Sequence, residues 1–164
     1  MFQVLLVASC VALLCCTGFL VLVAIAAFRF RRQRADQLDL SLPAVSMLKP
    51  LCGLEPNLET NLASFFQQQY PCFEIIFGVR TNADPAIAVV AKLREKYPHV
   101  PVKIAFSGEP EHPNAKVCSL VRMYEKAEHD YIVISDSDVQ VSPNYLRDVV
   151  RPLLERQNGL VTCL

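Results

Sequence analysis

The sequence lacks several features that mark common classes of protein. Its 16 basic and 16 acidic residues leave no net charge, and no basic stripe with interleaved aromatic residues occurs. A nucleic-acid partner is therefore not expected. The seven cysteines form no C-x-x-C pair and have no histidine at a ligand spacing, which argues against a zinc site or a disulfide framework. We expect reduced thiols, as in cytosolic proteins.

Charge is also missing from one long stretch near the N-terminus. No charged residue occurs from Val4 to Phe28, and about 20 apolar residues in a helix can cross a bilayer. A cleaved signal peptide is the alternative, but it carries positive charges ahead of a shorter apolar core. Here the basic residues follow the apolar run, in RFRRQR. We predict a transmembrane anchor over 1–28, with the N-terminus outside and the following chain on the cytoplasmic face.

The remaining chain alternates between apolar runs and helical patterns. A basic juxtamembrane linker is predicted over 29–43, and an α/β domain over 44–164. The apolar runs AVSML, FEIIFGV, VKIAF and YIVIS predict four strands with helices between them. Nearly continuous apolar strands indicate a mostly parallel sheet that is covered on both faces.

The end of the chain predicts one more helix and one more strand. Ser142 and Pro143 suit the N-cap and first turn of a helix through Arg156, which Pro152 should kink or break. The run LVTCL predicts the strand. Because the chain stops within this apolar run, we expect it to be the first part of a longer protein.

Two aspartates follow the fourth predicted strand, in SDSDV. Ligands of open α/β sheets bind beyond the carboxyl ends of the strands, so Asp136 and Asp138 are candidate ligands of Mg²⁺ or Mn²⁺ together with substrate phosphates. Two alternatives remain open at this point. The aspartates suit a turn that caps the next helix, and a strand followed by D-x-D also occurs in haloacid dehalogenase phosphatases, whose first aspartate is a nucleophile.

Two further residues occupy strand or helix ends. Asp84 precedes Pro85 after the second strand, so it suits either a ligand site or an ordinary helix N-cap. Lys116 lies near the start of the next helix, where it would either neutralise phosphate oxygens or remain a solvated side chain.

Several segments in order resemble one known family. They are LPAVSMLKPLCGLEPNLETNLASFF, YPCFEIIFGV, ADPAI, NAKVCSL and SDSDVQVSPNYL. From Pro43 onward the chain resembles the ceramide glucosyltransferase family, glycosyltransferase family 21, which includes the hopanoid-biosynthesis-associated enzymes of bacteria. The position of Asp138 is a glycine in the animal enzymes, so the resemblance favours the bacterial branch and an inner-membrane location.

The resemblance implies a fold, an activity and a set of site residues. The fold is the N-terminal half of the Rossmann-like GT-A domain of nucleotide-diphospho-sugar transferases. The activity is metal-dependent, inverting transfer of a sugar from a UDP-sugar to a membrane lipid such as a ceramide or hopanoid. The implied metal ligands, with Mg²⁺ or Mn²⁺ as cofactor, are Asp136 and Asp138. The implied nucleotide-sugar site consists of Pro50, Glu55, Asp84, Lys116 and Asp136.

The same resemblance implies that part of the catalytic machinery lies elsewhere. The third aspartate of the family, its expected general base, and its Q/R-x-x-R-W motif are expected beyond Leu164. The alternative is therefore an inactive truncated fragment that at most binds nucleotide, since loss of a general base lowers the rate by about 10²–10⁴-fold.

Overall fold

The computed structural model describes residues 2–33, 41–110, 113–154 and 158–162. The chain divides into two compact units, residues 1–40 and 41–164. The first contains a long helix, α1 (Phe2–Gln33), which continues into the segment predicted as a linker. Within α1, Ser9–Phe28 has a mean hydropathy of 2.7 and is long and apolar enough to cross a membrane.

The second unit is built on a sheet of four parallel strands. Their order is β3-β2-β1-β4, so β1 lies between two partners. Val45 of β1 is opposite both Phe73 of β2 and Tyr131 of β4. The α/β class and the parallel sheet predicted from the apolar runs are therefore confirmed. The strands are β1 (Val45–Pro50), β2 (Phe73–Val79), β3 (Val102–Phe106) and β4 (Tyr131–Ile134).

Helices cover both faces of this sheet, as its apolar strands require. Alternate residues of β1 point to opposite faces. Met47 joins the larger core cluster, which contains residues of α2, α3 and α5, whereas Leu48 packs with Met123 of α4 in a smaller cluster. The helices are α2 (Leu58–Phe66), α3 (Ala86–Lys96), α4 (Ala115–Tyr124) and α5 (Tyr145–Val150).

The predicted start of the last helix is wrong. Helix α5 begins at Tyr145, and neither Ser142 nor Pro143 caps it. Gln68, which follows α2, supplies the acceptor instead: its Oε1 accepts a hydrogen bond from the Leu146 amide at 3.0 Å, and its Nε2 donates to the Ser142 carbonyl at 2.9 Å. The Pro143 carbonyl accepts a hydrogen bond from the Gln69 amide at 2.8 Å, and the Ser142 carbonyl also accepts from the Tyr145 amide at 3.0 Å. Residues 142–144 therefore form a turn that leads into the helix.

Pro152 ends the regular helix, as predicted. The backbone passes from α5 into a short 3₁₀ helix, Arg151–Leu154, because proline has no amide to donate. Residues 155–157 lie outside the described residues. The strand predicted from LVTCL is not found over residues 160–162, and residues 163–164 lie outside the described part.

A buried ion pair ties the strands together near their amino ends. Glu74 of β2 is 2% exposed, and its Oε2 lies 2.7 Å from the Nζ of Lys103 on β3. Its Oε1 accepts hydrogen bonds from the Ser46 hydroxyl at 2.6 Å and from the Glu128 amide at 2.8 Å. Burial raises the pKa of Glu74, but the Lys103 ammonium and the two hydrogen bonds to Oε1 outweigh burial and leave the pKa below its ordinary value of 4.5.

We expect Glu74→Gln to lower the free energy of unfolding at pH 7 by about 1.5–3 kcal/mol, the usual range for hydrogen bonds to a charged group. A carboxylate with a lowered pKa stabilises the fold above its unfolded-state pKa, and this stabilisation is lost as pH falls through the folded-state value. Urea denaturation of the detergent-solubilised chain should therefore show the two proteins converging in stability below about pH 4.5.

Glu59→Gln is the matched control for this substitution. Glu59 pairs with Lys92 at 2.8 Å, but both side chains are about half exposed, and surface pairs contribute little. A deficit in Glu74→Gln that stays the same from pH 7 to pH 3 would contradict the role given to the carboxylate.

Candidate functional site

A cleft lies beyond the carboxyl ends of the four strands. Its volume is about 330 Å³. Parallel strands bring their carboxyl ends to one edge of the sheet, so residues distant in sequence meet there. Five of the six predicted site residues line this cleft: Pro50, Glu55, Lys116, Asp136 and Asp138. The other described lining residues are Leu51, Cys52, Arg80, Ser107, Ala115, Ser119 and Ser137.

The D-S-D turn after β4 presents its two carboxylates to the cleft. Asp136 and Asp138 are exposed, whereas Ser137 between them is 6% exposed. The Ser137 hydroxyl donates a hydrogen bond of 2.6 Å to Oε2 of Glu55, in the loop after β1. This hydrogen bond turns the central residue inward and leaves the flanking aspartates on the cleft side.

The helix-cap alternative for these aspartates is wrong. The next helix, α5, begins at Tyr145, and the Leu146 amide near its start is bound by Gln68. The carboxylates are therefore available for another partner.

Lys116 reaches the D-S-D turn from the start of α4. Its Nζ lies 2.6 Å from Oδ1 of Asp136, and both side chains are about half exposed. The helix begins after Asn114, whose Oδ1 accepts a hydrogen bond from the Val117 amide at 3.2 Å. This N-cap sets the direction of α4 and brings Lys116 to the mouth of the cleft.

Lys49, near the end of β1, lies beneath the same turn and is 0% exposed. Its Nζ donates hydrogen bonds to the Asp136 carbonyl at 2.7 Å and the Ser135 hydroxyl at 3.3 Å. Burial lowers the pKa of Lys49 from 10.5 to about 7, although three nearby carboxylates oppose the shift. These carboxylates belong to Asp136, Asp138 and Glu55.

Asp84 is not among the described residues that line the cleft. Both of its carboxylate oxygens lie 3.2 Å from the Gly53 amide, and Oδ1 also accepts from the Ala86 amide at 2.9 Å. The N-cap residue of α3 is Pro85 and not Asp84, but Asp84 binds the first amide of the helix from the preceding position and fixes the loop that carries Glu55. Gly53 has a φ of 67°, a backbone conformation that favours glycine.

Sequence reasoning missed three residues of this site: Lys49, Arg80 and Ser137. Arg80 directly follows β2 and is exposed at the cleft, where no described residue forms an ion pair with it. Its position directly after a predicted strand could have identified it as a candidate site residue. Lys49 also carried a signal, because a lysine two residues after Met47 falls on the apolar side of β1.

The carboxylate oxygens of Asp136 and Asp138 are suitable ligands for a hard divalent cation that also binds a substrate. The described residues contain no group of three or more His, Cys, Asp or Glu arranged to hold a metal ion. Two exposed carboxylates on one turn are nevertheless what Mg²⁺ commonly uses, since it keeps several waters and takes other oxygens from substrate phosphates. Asp136 and Asp138 are the residues that would hold it.

Comparison with solved structures defines the class of fold. Residues 1–349 of TarS from S. aureus superimpose with a TM-score of 0.54 at 20% sequence identity, over 74% of this chain and 38% of that one. The same TarS fragment in complex with UDP-GlcNAc gives a TM-score of 0.52 at 22% identity, over 74% and 37% of the two chains. The second unit therefore has the fold of GT-A glycosyltransferases.

Sequence comparison defines the family. The profile described as Glycosyl transferase family 21 matches residues 2–164. The chain is 36% identical over 128 residues to ceramide glucosyltransferase 1 of Caenorhabditis elegans, covering 78% of this chain and 28% of the relative. It is 38% identical over 117 residues to the ceramide glucosyltransferase of Komagataella phaffii, covering 69% and 23%. The chain belongs to glycosyltransferase family 21, as its motifs indicate.

These relatives are much longer than the chain. It spans 28% of ceramide glucosyltransferase 1 and 32% of ceramide glucosyltransferase 3 of Caenorhabditis elegans, and 23% of the Komagataella phaffii enzyme. Family membership also decides against the phosphatase alternative for the D-S-D motif.

Proposed function

We propose that the chain forms the donor-binding part of an inverting, metal-dependent glycosyltransferase that transfers a sugar from a UDP-sugar to a membrane lipid. The observation that carries this proposal is the shared cleft, which is lined by the acidic side chains of Asp136 and Asp138 together with the basic side chains of Lys116 and Arg80. Family membership and the ceramide glucosyltransferase relatives support the same activity.

The charges of the cleft suit a diphosphate. The Lys116 ammonium lies within hydrogen-bond distance of Asp136, and the Arg80 guanidinium presents planar paired donors of the kind that bind phosphate oxygens. A cation bound by Asp136 and Asp138 would stabilise negative charge on the departing diphosphate. When that cation binds Asp136, Lys116 becomes available to the phosphate oxygens.

The other site residues act on the shape of the cleft. Glu55 binds Ser137, and Asp84 binds the Gly53 amide, so both acidic residues fix loops rather than facing the donor freely. Pro50 forms part of the wall at the end of β1. The general base that accepts the proton of the acceptor hydroxyl is not one of these residues.

A lipid acceptor accounts for the apolar helix. Ser9–Phe28 would anchor the catalytic unit beside the bilayer, with the basic RFRRQR segment on the cytoplasmic side, where UDP-sugars occur. We propose a ceramide- or hopanoid-like acceptor and, from the aspartate at position 138, a bacterial inner membrane as the location.

The metal site can be tested by calorimetry of UDP binding to the detergent-solubilised chain. We expect UDP to bind at least about tenfold more tightly with Mn²⁺ or Mg²⁺ than with a chelator, a gain of about 1.4 kcal/mol. Asp136→Asn should remove most of this gain because it removes a charged ligand. Its metal-free UDP affinity should be equal or higher, because Lys116 loses its ion-pair partner.

Asp130→Asn is the matched control for the metal site. Asp130 is exposed and precedes β4 at its amino end, away from the cleft. The same substitution there should leave the metal-dependent gain intact. Equal UDP affinity with and without metal in the unmutated chain would count decisively against a metal site.

The acceptor can be identified by incubating membranes that contain the whole protein with radiolabelled UDP-sugars and extracted lipids. We expect label to enter the lipid phase, and Asp136→Asn to reduce its rate by at least about tenfold, because a charged group at the leaving diphosphate is lost. If the protein binds UDP but no lipid is labelled, the proposed transfer is wrong and the nucleotide-binding alternative stands.

The orientation of the anchor can be tested with two cysteines that are exposed in the described part of the second unit. Cys52 and Cys72 are exposed. A membrane-impermeant thiol reagent should leave them unlabelled in intact cells and should label them after permeabilisation. The Cys52→Ser/Cys72→Ser double variant shows which label belongs to them. Labelling of either cysteine in intact cells would reverse the proposed topology.

A further inference from the structure

Lys49 lies on the side of β1 that faces the larger core cluster, where apolar side chains are expected. Val45 and Met47, which point to the same side of the strand, are both 0% exposed and belong to the larger core cluster. Lys49 continues this series and is equally buried. An unpaired buried charge is strongly destabilising, so a lysine here requires compensating contacts.

The compensating contacts of Lys49 converge on the backbone of the D-S-D turn. Its Nζ lies 3.3 Å from the ring centroid of Phe65 on α2, in a cation–π contact. On the other side it donates to the Asp136 carbonyl at 2.7 Å and the Ser135 hydroxyl at 3.3 Å. The carbonyl belongs to the residue whose side chain is the first proposed metal ligand.

Lys49 therefore fixes Asp136 by its main chain and does not bind the carboxylate, which pairs with Lys116 instead. The Ser135 amide donates to the Leu48 carbonyl at 3.2 Å, which aligns the end of β4 with β1. The Ser137 hydroxyl is bound to Glu55 at 2.6 Å. Ser135, Asp136 and Ser137 are thus each hydrogen-bonded to β1 or to the loop that follows it. These bonds fix the direction of the exposed carboxylates of the turn.

We propose that Lys49 is a positioning residue that orients the D-S-D turn for cation and diphosphate binding, an inference that rests on the proposed function. It acts through the backbone of Asp136 and contacts neither donor nor cation. Residues that orient metal ligands in this way change metal affinity by about 10–100-fold when they are replaced.

The test compares Lys49→Met with the unmutated full-length chain in detergent. Methionine retains an unbranched apolar stem over Phe65 and removes the donor. We expect the metal-dependent gain in UDP affinity, measured by calorimetry with Mn²⁺, to fall by at least about tenfold. UDP affinity in a chelator should stay within about twofold. Hydrogen exchange of the Ser135 amide should accelerate by at least about tenfold, with no metal or nucleotide present.

Lys103→Met is the matched control. Lys103 is a partly buried strand lysine whose Nζ pairs with Glu74, away from the cleft. This substitution should lower the unfolding temperature, since it leaves a buried carboxylate, but it should change neither the metal-dependent gain nor exchange at Ser135.

The outcomes separate this inference from the proposed function. A full metal-dependent gain in Lys49→Met, alongside its loss in Asp136→Asn, would overturn the positioning role and leave the metal site standing. If the unmutated chain shows no such gain, the metal site fails, and hydrogen exchange alone decides whether Lys49 orders the turn. Unchanged exchange at Ser135 overturns the inference in either case. So does loss of the cooperative thermal transition in both Lys49→Met and Lys49→Gln, because Lys49 would then be a general structural residue.

Discussion

The parallel pairing of β1 with both β2 and β4 is the constraint on which the rest of the second unit depends. Because β1 lies between two strands of the same direction, its carboxyl end adjoins theirs, and the loops that follow must share one edge of the sheet. That edge brings Glu55 of the first loop beside Ser137 of the last. The cleft is a consequence of strand direction, and its chemistry depends on which side chains follow each strand.

Charged residues have different surroundings at the amino ends and at the carboxyl ends of the strands. Near the amino ends, the buried Glu74 of β2 pairs with Lys103 of β3 and accepts a hydrogen bond from the Glu128 amide. These contacts join two strands and the loop before β4. At the carboxyl ends, Asp136 and Lys116 are about half exposed, and an ion pair at the surface contributes little to stability. The same kinds of residue therefore stabilise the fold at the amino ends of the strands but contribute little to stability at the carboxyl ends.

The cleft is ordered largely by contacts to the backbone. Asp84 binds the Gly53 amide, and Lys49 binds the Asp136 carbonyl, so both residues restrain the loops without occupying the binding space. Preorganised donors and acceptors of this kind lose little free energy to reorganisation when a charged ligand enters.

The sequence by itself determined the four strands, because their apolar runs are long enough for burial on both faces. Strand and helix ends also predicted three cleft residues, Lys116, Asp136 and Asp138, whereas Pro50 and Glu55 were predicted by the family resemblance alone. Only the tertiary structure decided how those residues are used. Gln68 caps α5 from the segment that follows α2, and Lys49 reaches a turn 87 residues away in the chain. No local pattern records such contacts, because their partners become neighbours only when the strands pair. The short stretch that carries Asp136 and Asp138 thus predicts a ligand site, and the surrounding fold decides the direction in which the two carboxylates point.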